Sequence, residues 1–475
     1  MTPPSERGRG QKGGQVYVTG IGFSNVRGFT GARTVDELPL SASHDGDGGS
    51  WTVLAGRNGS GKSTFLRALA LTVAGPQVAR TLVQDFSGWI TTGEQSAWTQ
   101  VYVRPDYSVD RLVGRGGAPI DRIVLGLDWA VPEAQAGGPR YGASPSQPRL
   151  SPYDGEEYGW KGAGRGPWAD NPQGWFCAAY GPFRRLVGGS GEAQRLMLAP
   201  GPAGRMASLF HEDASLAEGV SWLKELHLRS FEEQEGAREL LETVLELLSD
   251  GLLPDGYRAL RVSADGLWVA PAGNADRAYP LREMSDGFRT VASLVLDIVR
   301  QLQTSYGALD AGTDEGGHPV VRMPGVVIID EVDAHLHVTW QRRIGTWLRS
   351  HFPRIQFIVT SHSPYICQAA DPGGLIRLPG PQEDRGPEVV DDGLHRRVVY
   401  GSGDDAVLSE LFGLETPYSD EAERQRVRLV QLERKVFRDE ADDTELREYR
   451  ELTELLTSSL STRVDEVAAR LGGSR

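Results

Sequence analysis

Cysteine is nearly absent: Cys177 and Cys367 stand far apart in 475 residues and form no C-x-x-C pair. That excludes a disulfide scaffold, a zinc ribbon and a cysteine-hook dimeriser. Long apolar runs are missing as well, none approaching the ~20 residues of a membrane-spanning helix. The polar, Gly- and Pro-rich start MTPPSERGRGQKGG carries no secretory pattern. The cytoplasm is therefore the expected location, with no membrane partner, and residues 1–14 are expected to be a disordered lead-in. Positive charge is also not in excess. With 50 basic against 64 acidic residues the net charge is −14, so no global field draws the chain to nucleic acid and any DNA contact has to be local.

What is present is a glycine-rich loop in the right setting. Residues Gly56 to Thr64 read GRNGSGKST, the pattern G-x-x-x-x-G-K-[ST]; they follow the apolar run WTVLA and open the helical pattern FLRALALTV. A strand that delivers the chain to a tight turn, glycines that accept its dihedrals and a helix N-terminus aimed inward make a phosphate cradle. Gly56, Asn58, Gly59, Ser60, Gly61, Lys62, Ser63 and Thr64 are the expected ATP-binding residues. Lys62 reaches the outer phosphates and the Ser63 hydroxyl ligates Mg2+.

Along the chain, VYVTGIGF, LVQDFSGWI, WTQVYVRP and IDRIVLGLDWAV read as strands. Gln84, within the second of these, is either a ligand to the magnesium and its water or a solvated loop residue. Residues 132–174 turn to Gly, Pro, Tyr and Trp without periodicity, as in a long loop or lid. An apolar strand then leads to Arg184 and Arg185, which form either a salt-bridged surface turn or a phosphate-facing guanidinium pair. From Ala214 to Leu253, apolar residues such as Val220, Leu223, Leu226, Leu241, Val244 and Leu248 recur at helical spacing, giving a helical subdomain or a short arm. Strands follow at YRALRV and GLWVA, then a helix from MSDGFRT, a buried strand VVIID, a helix over 338–348 and a strand IQFIVTS. The tail reads as strands near 374–378 and 396–400, then helices at 419–438 and 443–471. The apolar stripe of the last helix suits internal packing or a partner. The organisation this gives is a first core segment at 15–130, a lid at 131–179, a helical insertion at 180–255, a second core segment at 256–400 and a C-terminal helical docking region at 401–475.

Four further pieces carry chemistry. Asp330, ending VVIID, is placed to hold Mg2+ through water, and Glu331 beside it is placed as general base for the attacking water. Ser285 and Gly287 start a helix whose N-terminus is an anion site, although the chain already has one for the phosphates; they serve as a plain cap or hold the terminal phosphate of a nucleotide on a second copy. His362, after the strand IQFIVTS, can contact the γ-phosphate. Asp333, His335 and His337 offer a carboxylate and two imidazoles, a possible metal set that the order of the other motifs makes unnecessary.

In that order the motifs resemble the ABC-type ATPases of the RecF and SMC class: GRNGSGKST as Walker A, MSDGFRT as signature, VVIIDE as Walker B, VDAHLH as D-loop and SHSP with the switch histidine. The resemblance covers residues 15–80 and 280–370. It implies an α/β P-loop NTPase of ABC type, a mixed β-sheet core with flanking helices, a helical insertion and a C-terminal helical hairpin. It also implies a homodimer around two ATPs, alone or as the unit of a higher oligomer, in which Lys62, Ser63, Asp330, Glu331 and His362 act in cis and Ser285 and Gly287 in trans. The signature departs from LSGGQ, and its distance from Lys62 is too long for a transporter motor and too short for a condensin-type coiled coil. Asp391, Asp392, Asp404 and Asp405 do not fit a TOPRIM nuclease. The dialect GWI, AYGPFRRL, SDGFRT and TSHSP is most similar to the PtuA-type ATPases of Septu and retron-linked anti-phage defence. That implies a slow, regulatory ATPase with an HNH nuclease partner. A RecF-like repair ATPase acting on DNA alone is the alternative, and a transporter motor a remoter one.

Overall fold

The apolar runs that flank the phosphate-loop motif pair into one sheet. In the computed structural model, which describes residues 17–40, 49–114, 121–132, 147–152, 161–184, 190–254, 256–407, 409–412 and 418–456, its strand order is Glu388–Val389, Leu375–Arg377, Ser50–Ala55, Ile355–Ser361, Gly325–Ile329 and Cys177–Tyr180. Every neighbouring pair is parallel except the one formed by Glu388–Val389. Sequences such as WTVLA and GVVII are continuous apolar runs because both faces of this sheet are covered. Register puts Ala55 beside Ser361 and Ile329 beside Val359. The phosphate loop, Asp330 and His362 therefore leave the sheet at the same carboxyl-end edge, where open α/β sheets bind ligands.

A second, antiparallel sheet runs Val35–Pro39, Val18–Ser24, Ser96–Val103, Ile123–Ala130 and Arg149–Pro152. Ser96–Val103 alternates buried and less buried residues, as a strand with one covered face should. The helix Lys62–Ala74 packs against both sheets and is buried on almost every side by Phe65, Leu66, Leu69 and Leu71. Gln356, buried in a central strand of the first sheet, ties it to the second: its side-chain oxygen accepts from Val18 N at 2.8 Å and its amide donates to Val18 O at 2.9 Å. Cys177 and Cys367 are both free and buried, and burial pushes the Cys177 thiol up to about 12.

The structure resolves the helical insertion into Gly191–Met197, Pro202–Phe210, Ala217–Phe231 and Ala237–Ser249. The last two are separated by a turn in which Glu233 and Gly236 take φ of 55° and 75°, and both pack on Asp286–Tyr306. Within the expected lid, Arg149–Pro152 joins the antiparallel sheet and Cys177–Tyr180 edges the parallel one.

Three local expectations need correction. The segment holding Gln84 is no strand: Pro76 starts a helix, Pro76–Leu82, directly after Gly75, and a loop follows. The stretch 396–400 belongs to a helix, Asp392–Tyr400, because the Asp391 carboxylate accepts from Gly393 N at 2.8 Å and Leu394 N at 2.9 Å and caps it. The helix expected over 338–348 is two, Val338–Gln341 and Ile344–His351. None of the helices among the described residues is long and apolar enough to cross a membrane.

The chain divides into two units, Met1–Ala406 and Val407–Arg475. In the second, Asp420–Phe437 is capped by Ser419, whose hydroxyl accepts from Ala422 N at 3.2 Å. A second helix, 443–456, is tied to it by Arg428, which makes two bonds to the Glu448 carboxylate at 2.8 and 2.7 Å. The rest of the helix expected to reach 471 lies outside the described residues, as do residues 1–14 and Arg185.

Candidate active site

The phosphate loop is shaped by close approach. Gly59 and Gly61 take φ of 78° and 94°, a region that costs other residues ~1–2 kcal/mol. A Cβ on Gly61 would sit 2.7 Å from the Phe29 ring, and one on Gly56 would sit 2.5 Å from Leu378 O. Arg33 lies over the same Phe29 ring at 5.2 Å and donates to Ser60 O at 2.7 Å and Pro379 O at 3.1 Å, bracing the loop from outside. Asn58 is exposed, Ser63 and Thr64 are half-buried at the helix start, and the buried Ser60 hydroxyl has no partner. Lys62 folds back over the loop, donating to Gly56 O at 2.8 Å and Arg57 O at 3.2 Å. Burial lowers its pKa to about 8, against the pull of Asp330, Glu331 and Asp333.

Opposite polarity comes from the neighbouring strand end. Asp330 is 2% exposed and accepts from the Thr360 hydroxyl at 2.5 Å, while the same hydroxyl accepts from Glu331 N at 2.7 Å. Glu331 adopts a φ of 46°, a conformation that a non-glycine residue keeps only when its surroundings hold it there. Burial, then Asp330 and Asp333, raise the Glu331 carboxyl above its ordinary value, with Lys62 and Arg184 opposing. His362 follows the end of its strand, and partial desolvation together with Lys62 lowers its pKa. Lys62, Asp330, Glu331 and His362 thus share one field at one sheet edge.

The other expected residues take no part in that cluster of charges. Ser285 is an exposed N-cap whose hydroxyl makes no capping bond to the 21-residue helix Asp286–Tyr306. A Cβ on Gly287 would come within 2.7 Å of His335 O, so the helix start abuts the turn after Glu331. Gln84 is exposed and donates to Glu192 at 3.0 Å, lining a cavity of about 380 Å³ with Arg27, Arg67 and His211 that includes none of Lys62, Ser63 or Asp330. Among the described residues no group of three or more His, Cys, Asp and Glu is placed to hold a metal ion by itself. His337 instead accepts from Thr339 N as the cap of a short helix. Asp391 and Asp405 are spent on local backbone and Ser402 bonds.

Arg184 fits neither expectation for it. Only 3% exposed, it donates to the carbonyls of Gly181, Asp330 and Glu331 at 3.0, 2.9 and 3.0 Å, gripping the turn that carries the acidic pair. This role and that of Thr360 were missed in the sequence. The signal available for Thr360 was a polar residue near the end of a largely apolar strand; for a guanidinium aimed at backbone carbonyls there is none. The donors suit a magnesium polyphosphate. They supply a lysine whose burial leaves its charge undersatisfied, an orphaned Ser60 hydroxyl, a Ser63 hydroxyl at a helix N-terminus and a buried carboxylate.

Residues 257–368 match the family described as "AAA domain, putative AbiEii toxin, Type IV TA system". The chain is 38% identical over 112 residues to the Retron Ec83 probable ATPase of Escherichia coli, covering 23% of this chain and 18% of that one. It is 37% identical over 92 residues to the Septu protein PtuA of Bacillus mycoides (strain KBAB4), covering 19% and 11%. It is 28% identical over 134 residues to the Septu protein PtuA of Bacillus thuringiensis, covering 28% and 32%. The matches thus span about a third or less of the length of these relatives. Among solved structures, an Smc head bound to the C-winged helix domain of ScpA aligns with 79% of this chain and 98% of its own at 16% identity and a TM-score of 0.44. RecF with ATP aligns with 73% and 93% at 13% identity and a TM-score of 0.34. At such scores the likenesses carry no weight, and the fold rests on the strand order and loop geometry above.

Proposed function

Starting from an ABC-type P-loop ATPase fold related to the Septu and retron ATPases, we propose that this chain binds and slowly hydrolyses ATP with Mg2+. In this reading two copies pair head to tail around two nucleotides, and the pair regulates a DNA-acting partner, an HNH nuclease in anti-phage defence. The observation that carries the reading is the meeting of Lys62, Asp330, Glu331 and His362 in one cluster of charges at a sheet edge. Ser285, an exposed helix N-cap whose hydroxyl makes no capping bond, offers a second anion-binding helix start on the same chain.

Bound ATP and Mg2+ would supply a transferable γ-phosphoryl group and a neutralising cation. The loop amides from Gly59 to Thr64 bind the phosphates, and Lys62 leaves its carbonyl partners to donate to them. Ser63 and Asp330 would hold the cation. Glu331 would orient and deprotonate the attacking water, and His362 would donate to the terminal phosphate. Ser285 and Gly287 of the second copy close the site. Gln84 reaches the metal only if it leaves Glu192.

Lys62 gives the reading a pH signature. Its folded pKa, about 8 without phosphates, lies below its ordinary value of about 10.4, and phosphates restore the charged form. Between those values binding takes up a proton, so ATP affinity falls by up to about tenfold per pH unit above pH 8. Calorimetry at pH 8.5 in buffers of different ionisation heat reads the uptake directly. No proton uptake would count against Lys62 as the phosphate ligand.

The partner is tested by purifying tagged Glu331→Gln protein from its native host with ATP. A stoichiometric small HNH protein is expected to copurify. The chain with DNA alone favours a repair role, and an integral membrane partner overturns both.

A further inference from the structure

The group that grips the acidic turn is itself rigidly mounted. The strand Cys177–Tyr180 is pinned to the helix Asp286–Tyr306 by the Tyr180 hydroxyl, which donates to Asp297 at 2.9 Å, with Arg300 on the same carboxylate at 2.6 Å. Tyr180 O accepts Asp330 N at 2.8 Å. Just past this strand, Arg184 turns back and divides its guanidinium between carbonyls: one nitrogen to Gly181 and Asp330, the other to Glu331 at 3.0 Å and, more weakly, Val332 at 3.4 Å. Three successive carbonyls pointing at one cation require the backbone to curl around it, and the residue at the centre of that curl is Glu331 at φ 46°. A lysine, with a compact charge on a flexible stem, cannot reproduce such a planar fork.

We propose that Arg184 is a positioning residue for hydrolysis: by holding the carbonyls of Asp330, Glu331 and Val332 it fixes the left-handed backbone from which the Glu331 carboxylate reaches the attacking water. This rests on Glu331 being the general base. The guanidinium spends its terminal N–H groups on backbone carbonyls and so acts through Glu331. Its loss lets the turn relax toward ordinary dihedrals and swings the carboxylate off line, and a displacement of about 1 Å costs up to about 100-fold in rate.

The test uses the full chain with Arg184→Lys and Arg184→Ala. Both are expected to bind ATP within about threefold of wild type, to lower kcat by about 10- to 100-fold with KM little changed, and to accelerate hydrogen exchange of the Glu331 and Val332 amides. Arg184→Lys should retain more activity than Arg184→Ala. If Arg184→Ala does not fold, Arg184→Lys decides. A kcat at the wild-type level overturns the proposal, as does a loss of activity that merely follows a loss of ATP binding. In the Glu331→Gln background, Arg184→Lys should cause no further drop in kcat, because it acts through Glu331; a full multiplicative loss contradicts it. Failure of the underlying reading looks different: Glu331→Gln alone would hydrolyse ATP at the wild-type rate, whatever Arg184 variants do.

Discussion

Glu331→Gln is expected to bind ATP as well as wild type and to hydrolyse it at least about 100-fold more slowly, the lower end of what general-base removal costs. The substitution preserves shape and the N–H that bonds the Thr360 hydroxyl at 2.7 Å, so the turn keeps its geometry. What is lost is a proton acceptor whose basicity burial and two neighbouring carboxylates have raised. The same shift sets the acid limb in the wild type. As pH falls the base is protonated earlier than an ordinary glutamate would be, so the acid limb of the activity is shifted upward. Single-turnover hydrolysis and an ATP-binding titration on one preparation separate the effects. Weakened binding with normal turnover would place Glu331 among the ligands and remove it from the chemistry.

Lys62→Ala is expected to fail one step earlier. The side chain is 7% exposed and makes two bonds to loop carbonyls at 2.8 and 3.2 Å; with phosphates present these become charge-assisted bonds, each worth ~1.5–3 kcal/mol. ATP affinity should fall by about 10- to 100-fold or more, with hydrolysis at subsaturating ATP falling in parallel. Removing a buried cation that sits without a direct carboxylate partner costs the free protein little, so its Tm should move by no more than a few degrees. The pair of variants is diagnostic: one binds without reacting, the other does not bind. An Ala variant with wild-type ATP affinity would remove Lys62 from the site.

Where the backbone chemistry is local, the sequence was readable. GRNGSGKST between WTVLA and FLRALALTV allows little except strand, loop and helix, and VVIID and IQFIVTS announce buried parallel strands. Neighbouring strands then bring Asp330 and His362 to the edge where the loop lies. Competition between local signals explains the misses. Arg396 to Tyr400 carries two adjacent valines and looks like a strand, but Asp391 caps a helix there and buries His395 and Val398. Leu82 to Ile90 has the apolar content of a strand, yet Pro76 commits the preceding turn to helix and Ile90 manages only an isolated bridge to Val26. Arg184 lies beyond any local signal. Nothing in its neighbourhood announces that it will be bonded to carbonyls 146 and 147 residues away. Long-range polar contacts to backbone leave no residue-type signature, so only the folded chain reveals them.

The central claim is a nucleotide-clamped pair in which each copy supplies Ser285 to the other's Lys62 and Glu331. Its most direct test is the mass of Glu331→Gln protein in solution by light scattering, with and without Mg-ATP, alongside the same protein carrying Ser285→Arg. The expected result is a doubling of mass on adding ATP that Ser285→Arg abolishes while ATP still binds. A mass unchanged by saturating ATP, or a doubling indifferent to Ser285, would contradict it.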